Sequence, residues 1–303
     1  FFLGVENLTG HWQHAVYLGL LLFLYFAYEA CLGPDRRRLW PHWITHLLAM
    51  GAIGAALAMI QILPTLELSP LSIRTQLTYW DVTSGNTPRY LWTLFLPNYF
   101  GGMNGIPYVE PVEPSFNYLF LTVPGCLLAM LGLIEMGRRR NFFWLGLILL
   151  MTELSFGRLG YLGGVLYRTP VLNLFRSMAT FFDLANFSLC LMAAVGLAAL
   201  FDAPLRNLCR RWLPLALAVL LAFVTGVGLH DELAWKIHGW YHMVAVLAVV
   251  CFFVTAWMKG RLNQQVFQVA ILALVVYELT FYNMNQIFNR SGDNPRTNLS
   301  YNY

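Results

Sequence analysis

Acidic residues within hydrophobic stretches are the first candidates for chemistry in this chain. Glu153, Asp183 and Glu278 lie inside or at the ends of apolar runs. An ionisable side chain at membrane depth is energetically expensive, so each is a candidate functional residue. The alternative is that each carboxylate is hydrogen-bonded inside a helix bundle or reaches the lipid headgroups. The sequence favours that alternative for Glu278 and leaves both interpretations open for Glu153 and Asp183.

Three arginines lie between two of these acids and offer a complementary chemistry. Arg158, Arg168 and Arg176 belong to one connection between hydrophobic stretches. A guanidinium group presents a planar fork of donors that matches the oxygens of a phosphate. The sequence therefore predicts either a bound lipid phosphate or diphosphate at this connection, or ordinary contact with lipid headgroups.

A second polar group lies at the end of an earlier hydrophobic stretch. Gln61, Pro64 and Glu67 recur at intervals of three, which would place them roughly on one helix face, with the proline bending or ending the helix. Aromatic and charged residues that suit sugar or lipid-phosphate chemistry follow: Arg74, Tyr79, Trp80, Asp81 and Arg89. Glu67 and Asp81 are the catalytic candidates, since a general base must come within hydrogen-bond reach of an acceptor hydroxyl.

The histidines recur in pairs at helical spacing, which makes a metal, haem or chlorophyll ligand pair geometrically possible. The pairs are His11 with His14, His42 with His46, and His238 with His242. Each pair lies at the start of a hydrophobic stretch beside a tryptophan, which is typical of packing at the membrane interface. We therefore expect interfacial packing and no metal site. Five cysteines without a C-x-x-C spacing predict neither a disulfide framework nor structural zinc.

The composition places these residues in a membrane protein. Of the 303 residues, 58% are hydrophobic and only 11% are charged, whereas soluble domains are about a quarter charged. Too little polar surface remains to cover a water-soluble globule, which excludes a soluble enzyme and a nucleic-acid-binding module. The net charge of +4 does not mark a basic binding face, because the basic residues fall in short runs between hydrophobic segments.

Eight stretches approach the length of about 20 apolar residues that a membrane-spanning helix needs. They are residues 11–32, 42–63, 116–136, 142–157, 177–200, 212–229, 240–258 and 264–285. The sequence thus predicts an all-α polytopic helix bundle over residues 1–285, followed by the start of an extracytoplasmic segment at 286–303. A first residue other than Met and a polar final segment lead us to expect that the protein continues beyond both ends.

Basic residues are concentrated in four short loops, and this asymmetry predicts the orientation of the bundle. The loops are residues 33–41, 137–141, 202–211 and 259–261. Cytoplasmic loops are enriched in Lys and Arg, so the long loop 64–115 and the C-terminus are expected outside the cytoplasm. Interfacial or re-entrant helices are expected at 90–96, with Tyr90 and Trp92 at headgroup depth, and at 165–175. The long loop and the turn before the fifth span would then lie together.

Four stretches resemble the YfhO family of bacterial polytopic membrane proteins, in order and in spacing. They are T-G-H-W-Q-H-A-V-Y at 9–17, Q-I-L-P-T-L-E-L at 61–68, L-F-L-P-N-Y-F-G-G at 94–102 and L-F-R at 174–176. The resemblance covers most of residues 8–200 and implies a fold similar to the GT-C class of membrane glycosyltransferases. Such a protein would transfer a sugar from a polyprenyl-phosphate donor to a cell-envelope acceptor, on the outer face of the bacterial cytoplasmic membrane.

The resemblance also implies particular site residues. The family motifs fall on Gln61, Pro64, Glu67, Pro97, Asn98, Gly101 and Gly102, and the family's loop arginine falls on Arg176. The main catalytic acid of GT-C enzymes would lie upstream of residue 1. We expect lipid-phosphate contacts from Arg74, Arg158, Arg168 and Arg176.

Other functions stay open on the sequence alone. A non-catalytic scaffold subunit of a larger membrane complex would keep the same helices, with other membrane subunits as partners. A haem- or chlorophyll-binding subunit would use the histidine pairs and is less favoured. Membrane lipid is a partner in each case and nucleic acid in none. The sequence establishes no cofactor, and it leaves a divalent cation near Glu67 and Asp81 open.

Overall fold

The predicted all-α class is confirmed over the part of the chain that the structure describes. A computed structural model describes residues 12–32, 36–71, 77–94, 96, 99–100, 120–138, 142–169, 177–201, 217, 222 and 239–284. Within these ranges the regular secondary structure is entirely helical, and no strand occurs.

The described ranges contain nine α-helices, numbered here in chain order. They are α1 Trp12–Leu32, α2 Arg36–Leu68, α3 Tyr79–Val82, α4 Val123–Arg138, α5 Phe143–Ser155, α6 Gly163–Tyr167, α7 Phe181–Ala199, α8 Gly239–Met258 and α9 Gln264–Met284. Short 3₁₀ helices occupy Ser69–Leu71, Pro88–Leu94, Gly157–Leu159 and Met178–Thr180.

Five helical segments could cross a membrane by length and composition. They are Gln13–Leu32, His42–Thr65, Met178–Ala199, Trp240–Met258 and Gln264–Tyr282. Each coincides with one of the predicted spans, and each carries apolar side chains that face away from the protein. At most 39% of any of these segments is buried, so lipid is the solvent that their outward faces require.

The other three predicted spans have a different outcome. Predicted spans 116–136 and 142–157 contain shorter apolar helices, Val123–Met136 and Phe143–Ser155. Helix α4 begins only at Val123 because Pro124, without an N–H group, is tolerated in the first turn of a helix but not in its interior. The predicted span 212–229 lies outside the described residues, apart from 217 and 222. The total of eight spans therefore stays a prediction.

Helix α2 is longer at both ends than its apolar sequence predicts. Its first turn includes Arg36, which was expected in a loop, and it continues past Pro64, which was expected to bend or end it. Hydropathy marks the part of a helix that lipid can surround, whereas the helix itself continues wherever its backbone stays hydrogen-bonded. One turn is added after the proline, and there the hydroxyl of Thr65 donates to the carbonyl of Gln61 at 2.8 Å.

A short helix at Pro88–Leu94 overlaps the predicted interfacial segment 90–96, whose depth in the membrane stays a prediction. Only 1% of the surface of Tyr90 is exposed, and its ring packs on Phe100 with centroids 4.5 Å apart. The 3₁₀ helix has three residues per turn, so Tyr90 and Thr93 share the buried face while Trp92 lies outside and is 43% exposed.

The chain divides into two compact units and passes between them at three points, one of which lies within α7. The first unit comprises Phe1–Asn86 and Phe142–Ala185, and the second comprises Thr87–Asn141 and Asn186–Tyr303. In the first unit, aromatic rings hold α1 in place. Tyr17 stacks on Phe181 at 4.3 Å, and Tyr25 lies 5.5 Å from Phe143.

The second unit has an apolar core formed mainly by α8 and α9, with contributions from α4 and the end of α7. Val250, Val254 and Trp257 of α8 face Phe267 and Ile271 of α9. The rings of Trp257 and Phe267 stack with centroids 4.8 Å apart.

Two glycines of the second unit allow α4 and α7 to approach closely. A methyl group at Gly132 would lie 1.9 Å from the carbonyl oxygen of Met192, and one at Gly196 would lie 1.9 Å from that of Leu128. Both distances are far below van der Waals contact, so neither position accepts a side chain without moving the helices apart. Small residues at helix crossings are the usual basis of close packing in membrane proteins.

We predict that Gly132→Ala and Gly196→Ala each lower the free energy of unfolding in detergent by about 1–3 kcal/mol, the usual range for overpacking. The matched control is Gly146→Ala in α5, where a methyl group would meet nothing within 4 Å. Thermal or denaturant unfolding followed by circular dichroism measures both effects. Equal stability of all three variants would contradict the close crossing.

Candidate functional site

Three segments of the first unit are joined at helix ends by backbone hydrogen bonds. We call them the loop layer: residues 78–86, 155–161 and 177–180. The bonds run from Asn86 N–H to Ser155 O (2.8 Å), Arg158 N–H to Thr83 O (2.9 Å), Ser177 N–H to Asp81 O (3.1 Å) and Met178 N–H to Ser84 O (2.7 Å). The prediction that the 64–115 loop and the turn before α7 lie together is thereby confirmed for the described residues. The side of the membrane on which they lie stays a prediction.

Glycine makes this contact possible. A methyl group at Gly85 would lie 2.5 Å from the carbonyl carbon of Phe156. Gly157 has a φ of 54°, a left-handed conformation that favours glycine, and a methyl group there would lie 2.2 Å from the Thr83 carbonyl oxygen. Asn86 is 1% exposed, and its side-chain amide donates to the Ala179 carbonyl at 3.4 Å. The layer is therefore a built structure rather than a loose loop.

Asp81 is held in the loop layer by a capping box at the start of α3. Its Oδ2 accepts hydrogen bonds from the backbone N–H (2.8 Å) and the hydroxyl (2.7 Å) of Thr78. In return the backbone N–H of Asp81 donates to the Thr78 hydroxyl at 3.3 Å. This reciprocal arrangement satisfies the donors at a helix start. It also fixes the position of a half-buried carboxylate, which a catalytic base requires.

Arg158 lies over the indole ring of Trp80, with the guanidinium carbon 4.8 Å from the ring centroid. Arg158 is exposed, and Trp80 is 63% exposed. Among the described residues no carboxylate lies within ion-pair distance of Arg158. Next to them, the ring of Tyr79 meets that of Tyr167 at 5.1 Å. The loop layer thus presents a cation and an aromatic face side by side at its surface.

Glu153 secures the end of the layer that carries Arg158. Its side chain lies on the last turn of α5 and accepts the backbone N–H of Tyr161. A methyl group at Gly160 would lie 2.8 Å from the same carboxylate. Of the two interpretations left open by the sequence, the internal hydrogen bond is the one observed for this residue.

Asp183 also has an internal partner. Its Oδ2 lies 3.3 Å from Nε2 of His14, and both side chains are partly exposed. Beside this pair, the amide of Gln13 donates to the Tyr17 hydroxyl (2.7 Å) and to the Ser177 carbonyl (3.1 Å). Sequence reasoning missed Gln13. The available signal was an amide four residues before a tyrosine on an otherwise apolar helix, a spacing that brings the two together.

Glu278 is fully buried in the second unit, where it serves the start of α4. Its Oε2 accepts the backbone N–H of Val123 at 3.0 Å. The first N–H groups of a helix have no intrahelical acceptor and attract negative charge. The neighbouring Thr122 has a φ of 72°, which is uncommon for a β-branched residue. No partner among the described residues hydrogen-bonds Oε1.

The remaining predicted site residues are not brought together in the described part of the chain. Glu67 is exposed in the last turn of α2, and the structure records no hydrogen bond or ion pair between it and the loop layer. Gln61 is half-buried on the same helix, and Arg168 is exposed just after α6. Six residues lie outside the described ranges: Arg74, Arg176, Pro97, Asn98, Gly101 and Gly102.

The histidines have individual contacts. His14 pairs with Asp183, Nδ1 of His46 contacts the His42 carbonyl, and the His242 ring stacks on Phe281 with centroids 4.3 Å apart. His11 and His238 lie outside the described ranges. Within those ranges no group of three or more His, Cys, Asp or Glu side chains could hold a metal ion.

We predict that the buried acceptor at residue 278 contributes to stability through Val123. Glu278→Met keeps the side-chain length but leaves the Val123 N–H without an acceptor, which should lower the free energy of unfolding by about 1–3 kcal/mol. Glu278→Gln retains an oxygen acceptor and should lose less. The control is Gln265→Ala on the exposed face of the same helix, and unfolding in detergent is the measurement. Equal losses for Met and Gln would contradict the role assigned to this bond.

Comparison with known protein families, curated proteins and solved structures finds no match to this chain. The function is therefore argued from the chemistry of the loop layer and from the apolar helices that carry it.

Proposed function

We propose that the chain is the membrane part of a glycosyltransferase of the GT-C type, similar to the YfhO family, and that the loop layer belongs to its site. The donor is a sugar linked to a polyprenyl phosphate, and the acceptor is a hydroxyl group of a cell-envelope polymer. One observation carries the proposal. A rigid, hydrogen-bonded layer holds a carboxylate, an exposed indole and an exposed guanidinium together at the ends of apolar helices.

The chemistry of glycosyl transfer matches these groups. The bond between the anomeric carbon and the carrier phosphate breaks, a new bond to the acceptor oxygen forms, and the acceptor hydroxyl loses its proton. The leaving phosphate keeps the electron pair of the broken bond, and a guanidinium such as Arg158 stabilises that charge. In the proposal Asp81 takes the proton as general base.

A lipid-linked donor also fits the surroundings of the layer. The carrier's long apolar tail needs a path through the acyl chains, and the outward faces of the five potential spans are apolar. Its phosphate would lie at headgroup depth, beside the helix ends. In the proposal this end faces outward from the bacterial cytoplasmic membrane, as the distribution of basic loops predicts.

One observation favours the alternative, a non-catalytic scaffold within a larger membrane complex. The carboxylates of Asp81, Glu153 and Asp183 all make internal contacts, as purely structural residues would. Substitutions that separate the charge of a carboxylate from its hydrogen bonds distinguish the two functions.

We predict that Asp81→Asn lowers sugar transfer by about a hundredfold, the usual contribution of a general base, without lowering the melting temperature. The asparagine oxygen can still accept both bonds from Thr78, so the capping box persists while the negative charge is lost. Transfer is measured in proteoliposomes, from a radiolabelled polyprenyl-phosphate sugar to a cell-envelope polymer.

The matched control is Thr78→Ala, which removes the other half of the capping box. It should cost about 1 kcal/mol of stability and lower the transfer rate per folded molecule much less than Asp81→Asn does, because the carboxylate keeps its charge and its bond from the Thr78 backbone N–H. Full activity of Asp81→Asn would remove Asp81 from the catalytic machinery. Absence of transfer by the unmodified protein, across a panel of lipid-linked sugars, would favour the scaffold.

A further inference from the structure

We infer that Trp80 and Arg158 form one composite binding site for a phosphate-linked sugar, in which the indole binds the sugar ring and the guanidinium binds the phosphate. The inference rests on the proposed function and extends it, since it assigns the sugar to a particular side chain. It concerns two exposed side chains of the loop layer, whereas Asp81 is half-buried in the same layer.

Trp80 is exposed although the backbone on which it lies is fixed. Its indole is 63% exposed, although its neighbours Asp81 and Thr83 are fixed by hydrogen bonds to Thr78 and Arg158. A large aromatic side chain on a rigid backbone, kept out of the core, is a typical feature of binding surfaces. Membrane-interface tryptophans share the exposure but do not require this degree of fixation.

Arg158 lies over the indole of Trp80. The guanidinium lies 4.8 Å from the ring centroid, so one face of the ring is covered by a cation and the rest stays open. The backbone of Arg158 is fixed by its bond to the Thr83 carbonyl. A guanidinium above an aromatic face keeps N–H groups that can donate to phosphate oxygens.

The pair of Trp80 and Arg158 matches the two parts of a phosphate-linked sugar. A sugar linked to a polyprenyl phosphate has an apolar ring face, which packs on an aromatic surface, and an adjacent phosphodiester with one negative charge. No carboxylate among the described residues pairs with Arg158, so its charge is available to a bound anion. The carboxylate of Glu153 is engaged by the Tyr161 N–H. The charge pattern therefore favours a phosphorylated sugar over an uncharged one.

The test measures binding in nanodiscs of phosphatidylcholine, with citronellyl phosphate carrying glucose, N-acetylglucosamine or mannose as probes. Citronellyl phosphate without sugar reports the phosphate contact alone. Trp80→Ala should weaken the best sugar-bearing probe about tenfold and leave citronellyl phosphate unchanged. Trp80→Phe retains an aromatic face and should lose less. Arg158→Ala should weaken both probes.

Two controls separate this site from other causes. Trp92→Ala removes an indole of comparable exposure, 43%, whose ring stacks on Tyr99 instead, and it should leave both probes unaffected. Nanodiscs that contain phosphatidylglycerol test ordinary headgroup binding. Thermal unfolding of each variant excludes loss of fold as the cause of weaker binding.

Three outcomes would overturn the inference. They are equal weakening of both probes by Trp80→Ala, no weakening of either, and a wild-type protein that does not distinguish the sugar-bearing probe from citronellyl phosphate. A fourth outcome concerns the lipid. If phosphatidylglycerol competes with the probes in a way that depends on Trp80, the pair anchors headgroups and the inference is wrong. Because the readout is binding, a protein that binds but transfers nothing would contradict the proposed glycosyltransferase while leaving this site in place.

Discussion

The constraint on which the described structure depends is the satisfaction of backbone hydrogen bonds at helix ends, where lipid offers no partner. Each helix end beside the loop layer is completed by another segment of the chain. The segment 78–86 supplies carbonyls and N–H groups to the end of α5 and to the turn before α7. At the start of α4, the side chain of Glu278 supplies the acceptor for the Val123 N–H. The exposed groups at the surface of the layer are held in place by this buried framework.

The same constraint explains which glycines are indispensable. Gly85 and Gly157 allow two backbones to meet within hydrogen-bond distance, and Gly157 also adopts a left-handed conformation. Gly132 and Gly196 allow two helices to touch, where dispersion contacts replace the hydrophobic effect that lipid removes. By contrast, Gly146 meets nothing. The role of a glycine in this protein therefore depends on the segment opposite it, which the local sequence does not reveal.

Hydropathy predicts the long helices well because it measures the property that the bilayer selects. The five potential spans lie where the apolar stretches lie. Helix ends were predicted less well: α2 extends beyond Pro64, and α4 begins only at Val123. An end depends on a partner for the last backbone groups, and that partner can be distant in sequence. The contact between 78–86 and the start of α7 was predicted from loop orientation alone, whereas the pairing of Asp183 with His14 has no local signal.

The candidate acids show why residue type alone could not assign roles. Glu153, Asp183 and Glu278 are all ionisable groups inside or at the ends of apolar stretches, yet each contacts a different partner. Asp81 differs from them because a capping box within its own segment fixes its carboxylate, which accepts both the backbone N–H and the hydroxyl of Thr78. Rigid placement by a cap is compatible with chemistry at the surface of the same layer. A structural and a catalytic Asp81 would occupy the same position, and only the catalytic role requires the negative charge.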